Sequence, residues 1–232
     1  MDVYFTVKLI HVLSATVLFG TGAGTAFCAG GDVKGMSSRG VGTVTMTAAE
    51  RIAQLKVRQR TLTGALMAVR KPTIAALPGA AAGAGLSIAL ACDLRIAARS
   101  AFITTGYSRI GLSGDYGIAW NLTRLIGTAR ARELMFTADR VDAATCERLG
   151  LVNRVVDDDA LAQETHTLGQ RLAAGPADAF ALMKDNLDDA QRLDFLTALD
   201  REAERLVESA ASADHAEAVR AFVEKREPRF GH

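Results

Sequence analysis

The stretch Lys71–Asp93 reads K-P-T-I-A-A-L-P-G-A-A-A-G-A-G-L-S-I-A-L-A-C-D. Its apolar run Thr73–Leu77 has the length and flanks of a buried strand. Pro78-Gly79 breaks that strand. A loop of only Gly and Ala follows, ending at Gly83-Ala84-Gly85, and Leu86–Cys92 then reads as a helix. A strand that runs through such a loop into a helix presents backbone N–H groups without intrahelical acceptors, at the positive end of the helix dipole. No side chain in the loop blocks a ligand's approach. The stretch is therefore a place to hold a developing negative charge.

Around it stand 232 residues, enough for one sizeable core or a core with a small appended domain. Hydrophobic residues make up 49% and charged residues 23%, the balance of a globular domain. A net charge of +1 gives no electrostatic basis for a nucleic-acid partner. The three cysteines, Cys28, Cys92 and Cys146, are odd in number and form no metal-ligand cluster, which fits structural thiols in a reducing, cytoplasmic setting. Only four histidines are present and none pairs as HExxH, which argues against a zinc hydrolase and for no metal.

Leu9–Ala29 carries no charged residue and is long enough to span a bilayer. The competing reading is a buried strand, Thr16–Phe19, followed by a Gly-rich turn, Gly20–Gly24. The second is preferred, because Phe27–Asp32 begins a further small-residue turn, F-C-A-G-G-D. Asp32 suits the cap of a short helix to Met36. A capping box, Thr47 with Glu50, opens a helix to about Val69, with Ile52, Leu55 and Leu62 on its apolar side.

After the opening stretch, Leu94–Ala98 and Ala101–Thr105 read as strands. The turn I-G-L-S-G-D-Y-G, Ile110–Gly117, opens a helix through Trp120 and Leu125 that Gly127 closes. Short helices at Ala129–Thr137 and Ala143–Leu149, and a strand at Val152–Val156, complete an α/β region. Four helical segments follow: Asp159–Ala174, Ala177–Ala190, Leu193–Ala211, and one from Asp214 to about Lys225.

Other glycine-loop chemistries fail on spacing. A dinucleotide fingerprint from Gly83 meets Ile88 where a small residue is required, and one from Gly20 meets Thr25. A P-loop from Gly30 meets Met36 where lysine is required. Gly-Leu-Ser-Gly-Asp at 111–115 leaves Ser113 out of register for a nucleophile elbow. Two strand-turn-helix junctions remain, near Gly31 and near Ala84. Each can offer a backbone N–H, and two aimed at one carbonyl oxygen form an oxyanion hole, with each donor contributing on the order of 3 kcal/mol. Small residues at either turn could equally serve close packing.

These motifs resemble the crotonase (enoyl-CoA hydratase/isomerase) superfamily. F-C-A-G-G-D-V-K-G-M is similar to its first oxyanion motif and K-P-T-I-A-A-L-P-G-A-A-A-G-A-G-L-S-I-A-L-A-C-D to its second. R-I-G-L-S-G-D-Y-G-I-A-W-N-L-T-R-L-I-G is similar to its catalytic turn and helix. A-R-A-R-E-L-M-F-T and G-L-V-N-R-V-V extend the resemblance from about Phe19 to the C-terminus. It implies an α/β crotonase (ClpP/crotonase-like) fold of stacked ββα units: an atypical segment over 1–18, a core over 19–174 and a helical trimerisation region over 175–232. It implies an acyl-CoA thioester substrate, no other cofactor, and a homotrimer or homohexamer. By resemblance, the N–H groups of Gly31 and Ala84 form the oxyanion hole, and Ala29, Asp32 and Val33 lie beside the CoA moiety.

Two departures shape the expected chemistry. Hydratases of this family use two glutamates, at positions that align here with Ser87 and Tyr107, and neither side chain can act as a carboxylate base. Asp115 is the nearest carboxylate on a catalytic turn, and several isomerases of the family use an aspartate there. Asp115 is thus read either as a catalytic residue or as a cap of the helix that follows, and Tyr107 as a pocket wall more than as a proton donor. The implied activity is isomerase-like, with a non-catalytic acyl-CoA-binding protein as the alternative. The other departure is at the front, where Met1–Leu18 lacks the expected β-hairpin and the sheet is expected to lack strands.

Overall fold

The computed structural model describes Lys8–Val12, Ala15–Phe19, Ala26–Cys28 and residues 46–231. The elements in chain order are β1 (Lys8–Val12), β2 (Ala15–Phe19), β3 (Ala26–Cys28), α1 (Ala48–Gln59), β4 (Thr73–Leu77), β5 (Ala80–Ala82), α2 (Ala84–Ala91), β6 (Leu94–Ala98), β7 (Phe102–Thr104), α3 (Ile118–Thr137), β8 (Val141–Asp142), α4 (Ala143–Leu149), β9 (Arg154–Val156), α5 (Leu161–Ala173), α6 (Ala177–Asp189), α7 (Phe195–Ala210) and α8 (Ala213–Glu224). One sheet has the order β1-β2-β4-β6-β9 and the other β3-β5-β7-β8.

In the first sheet β4 runs parallel to β6, with Ile74 opposite Leu94 and Leu77 opposite Ala97. Every residue of β4 is buried, which explains its unbroken apolar run. A side chain pins the register. Asp93 Oδ2 accepts from Thr73 N at 2.7 Å and from Thr73 Oγ1 at 2.8 Å, while Asp93 N donates to Thr73 Oγ1 at 2.8 Å. Arg95 is buried beside it. Its guanidinium donates to Cys92 O at 2.6 Å, at the C-terminal end of α2, and to Leu151 O at 2.7 Å.

The structure changes four expectations. The Gly/Ala loop contains a strand, β5, which pairs in parallel with both β3 and β7. Three alanines have little β preference, so the neighbours on either side impose the strand. The front of the chain supplies β1, where no strand was expected before Thr16, next to β2, which matches the strand expected at Thr16–Phe19. The described parts of Leu9–Ala29 are strands, and among the described residues no helix is long and apolar enough to cross a membrane. The long helix from Thr47 keeps its capping box but turns into a π turn at Arg60–Gly64 before a last turn at Ala65–Met67. Within α1 no residue is buried, and Ile52 and Leu55, expected on its inner side, are exposed.

Arg70–Pro72 and the chain from Thr167 onward belong to a second compact unit. Within it, Arg205 on α7 donates to Asn186 Oδ1 at 2.8 Å and Asp189 Oδ2 at 2.6 Å on α6. Asp194 and Ser212 cap α7 and α8, accepting from Thr197 N and His215 N. After α8, Arg226 pairs with Glu217 at 2.6 Å, and Arg229 N donates to the same carboxylate at 3.0 Å. The Arg226 hydrogen bond, then the Arg229 N–H, bring the Glu217 carboxyl down to about 2.

Candidate active site

Strand β5 leads into the site through Gly83. That residue has φ 52° and ψ −126°, a conformation suited to glycine, and its N–H donates to Thr104 O at 3.2 Å on β7. The reversal aims the start of α2 away from the strand. Ala84 is the first helical residue, so its N–H has no acceptor within the helix. Only the main chain is needed there, and the alanine side chain is buried.

Strand β3 runs alongside in parallel, with Cys28 opposite Ala81. Gly31 follows Cys28 by three residues, as Ala84 follows Ala81. Gly31 itself lies outside the described residues, as do Ala29, Asp32, Val33 and the expected short helix at Asp32. What is described is the approach of the two elements. A Cβ on Gly85 would stand 2.3 Å from Cys28 O, 2.5 Å from Cys28 Cβ and 2.7 Å from Cys28 Sγ. Gly85 therefore permits a contact between the first turn of α2 and β3 that no side chain would fit.

One turn further along α2, Ser87 is fully buried. Its Oγ lies 3.4 Å from Tyr107 Oη, 3.1 Å from Asp115 O and 3.3 Å from Gly83 O. Tyr107 Oη donates to Asp115 Oδ1 at 2.6 Å. Burial, and then this bond, raise the Tyr107 phenol well above its ordinary range. Its hydroxyl is directed at the Asp115 carboxylate. Ser87 and Tyr107 thus meet each other and the Asp115 turn.

That turn is built from unusual backbone. Gly111, Gly114 and Gly117 all have positive φ, and so does Tyr116 at 52°. The helix expected after the Ile110–Gly117 turn starts at Ile118, with Gly117 as its N-cap and no side-chain cap. Asp115 therefore does not cap α3 through its carboxylate. Its main-chain oxygen accepts from Ile118 N at 3.2 Å, and its carboxylate is half-buried against Tyr107. Burial, then the Asp115 charge, push the Tyr116 phenol up, opposed by Arg58. Helix α3 breaks at Gly127, φ 73° and ψ 167°, where the sequence placed a stop.

One contact at the turn had no signal in the sequence. Gln59 Oε1, at the end of α1, accepts from Tyr116 N at 2.7 Å. Nothing local marks a glutamine on a polar helix for this partner. Among the described residues no group of three or more His, Cys, Asp or Glu is placed to hold a metal.

Residues 11–232 match the family model described as "Enoyl-CoA hydratase/isomerase". The 1,2-epoxyphenylacetyl-CoA isomerase of Escherichia coli is 37% identical over 214 residues, covering 90% of this chain and 79% of that protein. A protein of Rhodobacter capsulatus named "Probable enoyl-CoA hydratase" is 36% identical over 210 residues, covering 90% and 79%. The crystal structure of an enoyl-CoA hydratase from Polaromonas sp. JS666 superposes with a TM-score of 0.87 at 27% identity, over 97% of this chain and 99% of that one. The chain belongs to the enoyl-CoA hydratase/isomerase family of enzymes, in the crotonase superfamily, and has the crotonase fold.

Proposed function

We propose that this protein binds an acyl-CoA thioester and moves a proton on its acyl chain, as an isomerase does, instead of adding water with two glutamates. The observation that carries the reading is the cluster of Ser87, Tyr107 and Asp115. It contains no glutamate, and its one carboxylate is oriented by a 2.6 Å hydrogen bond from Tyr107. In this reading the Asp115 carboxylate takes a proton from the carbon beside the thioester carbonyl. The electron pair moves onto the thioester oxygen, where the N–H groups of Ala84 and Gly31 hold it at the positive end of α2. With a 3-enoyl thioester, the charge extends along the chain. Asp115 then returns the proton two carbons further on, giving the 2-enoyl isomer with no change in composition.

Ala29, Asp32 and Val33 would lie beside the CoA moiety. The working form is a homotrimer or homohexamer, a reading supported by the exposed apolar faces of α7 and α8, where Phe195 is 77% and Phe222 85% exposed. Light scattering after gel filtration tests that part. The loss of both glutamates also suits a protein that binds acyl-CoA without turning it over.

Asp115→Asn separates the two. Hydrogen exchange at the α carbon of saturated and 3-enoyl-CoA thioesters in deuterium oxide, followed by NMR, reads proton removal directly. The exchange should fall about 10²- to 10⁴-fold with acyl-CoA affinity kept. Exchange at the parent rate in the variant would remove Asp115 from the chemistry. Absence of exchange in the parent, with binding intact by calorimetry, would favour the non-catalytic reading.

A further inference from the structure

Helix α1 ends against the Asp115 turn through one side chain. The Gln59–Tyr116 bond, 2.7 Å long, spans 57 residues of sequence, so only the fold creates it. Tyr116 is a position that needs a hold. Its φ of 52° is left-handed and unfavourable for a side chain of this kind.

The aspartate just before it is fixed from other directions. Ser87 Oγ reaches its carbonyl at 3.1 Å, and Tyr107 Oη reaches its carboxylate at 2.6 Å. Those two residues come from the buried core, while Gln59 comes from a helix with no buried residue. Directly after Gln59 the helix widens into the π turn Arg60–Gly64. There the buried Thr63 donates from Oγ1 to Gln59 O at 3.2 Å. A π turn shifts the register of the residues beside it and recurs where a helix must re-aim a side chain at a site. Here the main chain of Gln59 is anchored through Thr63, and its amide is turned to the turn that carries Asp115.

We propose that Gln59 is a positioning residue, holding the Tyr116 amide so that the Asp115 carboxylate stands where it can take and return a proton. The inference rests on Asp115 being the acid/base of the proposed reaction. In this role Gln59 acts on neither the thioester nor the moving proton, only on the Tyr116 N–H. It acts by fixing the backbone one residue from the carboxylate, and displacement of a reacting group by about 1 Å costs on the order of a hundredfold in rate.

The test uses the full chain and the exchange assay with a short-chain 3-enoyl-CoA as probe. Gln59→Leu should lower kcat about tenfold to a hundredfold, with KM within about twofold of the parent. Gln59→Asn, which keeps the amide but shortens its reach, should behave like Gln59→Leu with less effect on folding. Gln59→Glu, which keeps an acceptor oxygen at the same reach, should restore most of the rate. Parent-like turnover in Gln59→Leu and Gln59→Asn, a loss confined to KM, or no recovery in Gln59→Glu would overturn the positioning role. Asp115→Asn run in parallel separates the two failures. If it keeps the parent rate, the Asp115 reading falls and the inference falls with it. If it abolishes exchange while Gln59→Leu does not, the positioning role alone falls.

Discussion

Gly85→Ala tests the geometry on which the oxyanion reading depends. The added Cβ would lie 2.3 Å from the Cys28 carbonyl oxygen, where ordinary contact begins at 3.4 Å. About 1 Å must open between the first turn of α2 and β3, and backbone cannot rotate away as a side-chain tip can. Overpacking of this kind costs about 1–3 kcal/mol, and a clash with main chain belongs at the upper end. For a domain of this size about 3 kcal/mol lowers Tm by roughly 6–12 °C. The same displacement moves the Ala84 N–H relative to the strand that leads to Gly31, and a shift near 1 Å costs on the order of a hundredfold in rate. Scanning calorimetry and the α-carbon exchange assay read the two effects. Adding Cys28→Gly removes the Cβ and Sγ contacts at 2.5 and 2.7 Å but leaves the oxygen at 2.3 Å, so it should recover only part of the loss. A Gly85→Ala protein with parent Tm and parent exchange would refute the close approach. Full recovery in the double variant would mean that the sulfur, not the backbone, sets the limit.

Three further outcomes are expected from the hydrogen bonds described. Tyr107→Phe removes a hydrogen bond to a carboxylate, a loss of about 1.5–3 kcal/mol. Turnover should fall at least about tenfold with acyl-CoA affinity retained by calorimetry, and unchanged turnover would take Tyr107 out of the site. Arg95→Met leaves the buried carbonyls of Cys92 and Leu151 without their donors, which should destabilise the fold by roughly 3 kcal/mol in denaturant titrations. A change under about 1 kcal/mol would show that other donors replace the guanidinium. Glu217 is depressed to about 2 from an ordinary 4.5, so the hold on Arg226 and Arg229 is fully present above pH 4.5 and is lost as pH falls through about 2. The Arg229 amide should be protected from exchange at neutral pH, lose protection toward pH 2, and lack it at neutral pH in Glu217→Gln. A protected amide in that variant would refute the assignment.

Much of the architecture was legible in the residues because local physics agreed with the fold. Thr73–Leu77 and Leu94–Ala98 read as strands and are strands with those limits, since a run of buried apolar residues bounded by turns has few other uses. Gly127 read as a stop and breaks α3. The helices after residue 156 fell within a few residues of their observed ends, because Ser, Asp, Gly and Pro mark such ends. The turn at Gly83-Ala84-Gly85 could be recognised from glycine content and from the small side chains around it.

The tertiary structure decided what depends on partners distant in sequence. Ala80–Ala82 is a strand only because β3 and β7 flank it, and Gly85 is required only because Cys28 lies against it. Asp115 could be read as a helix cap or as a catalytic carboxylate. Tyr107 donates to its side chain and the helix begins two residues after Tyr116, so the carboxylate does not cap that helix. Gln59 carried no signal, since a hydrogen bond across 57 residues leaves no trace in either local pattern. Composition and spacing indicate where a helix can present free N–H groups, because that follows from backbone chemistry alone. That Tyr107 donates to the Asp115 carboxylate, that Ser87 reaches the Asp115 carbonyl and that Gln59 accepts from the next backbone N–H follow from the packing of α2, the Asp115 turn and the end of α1.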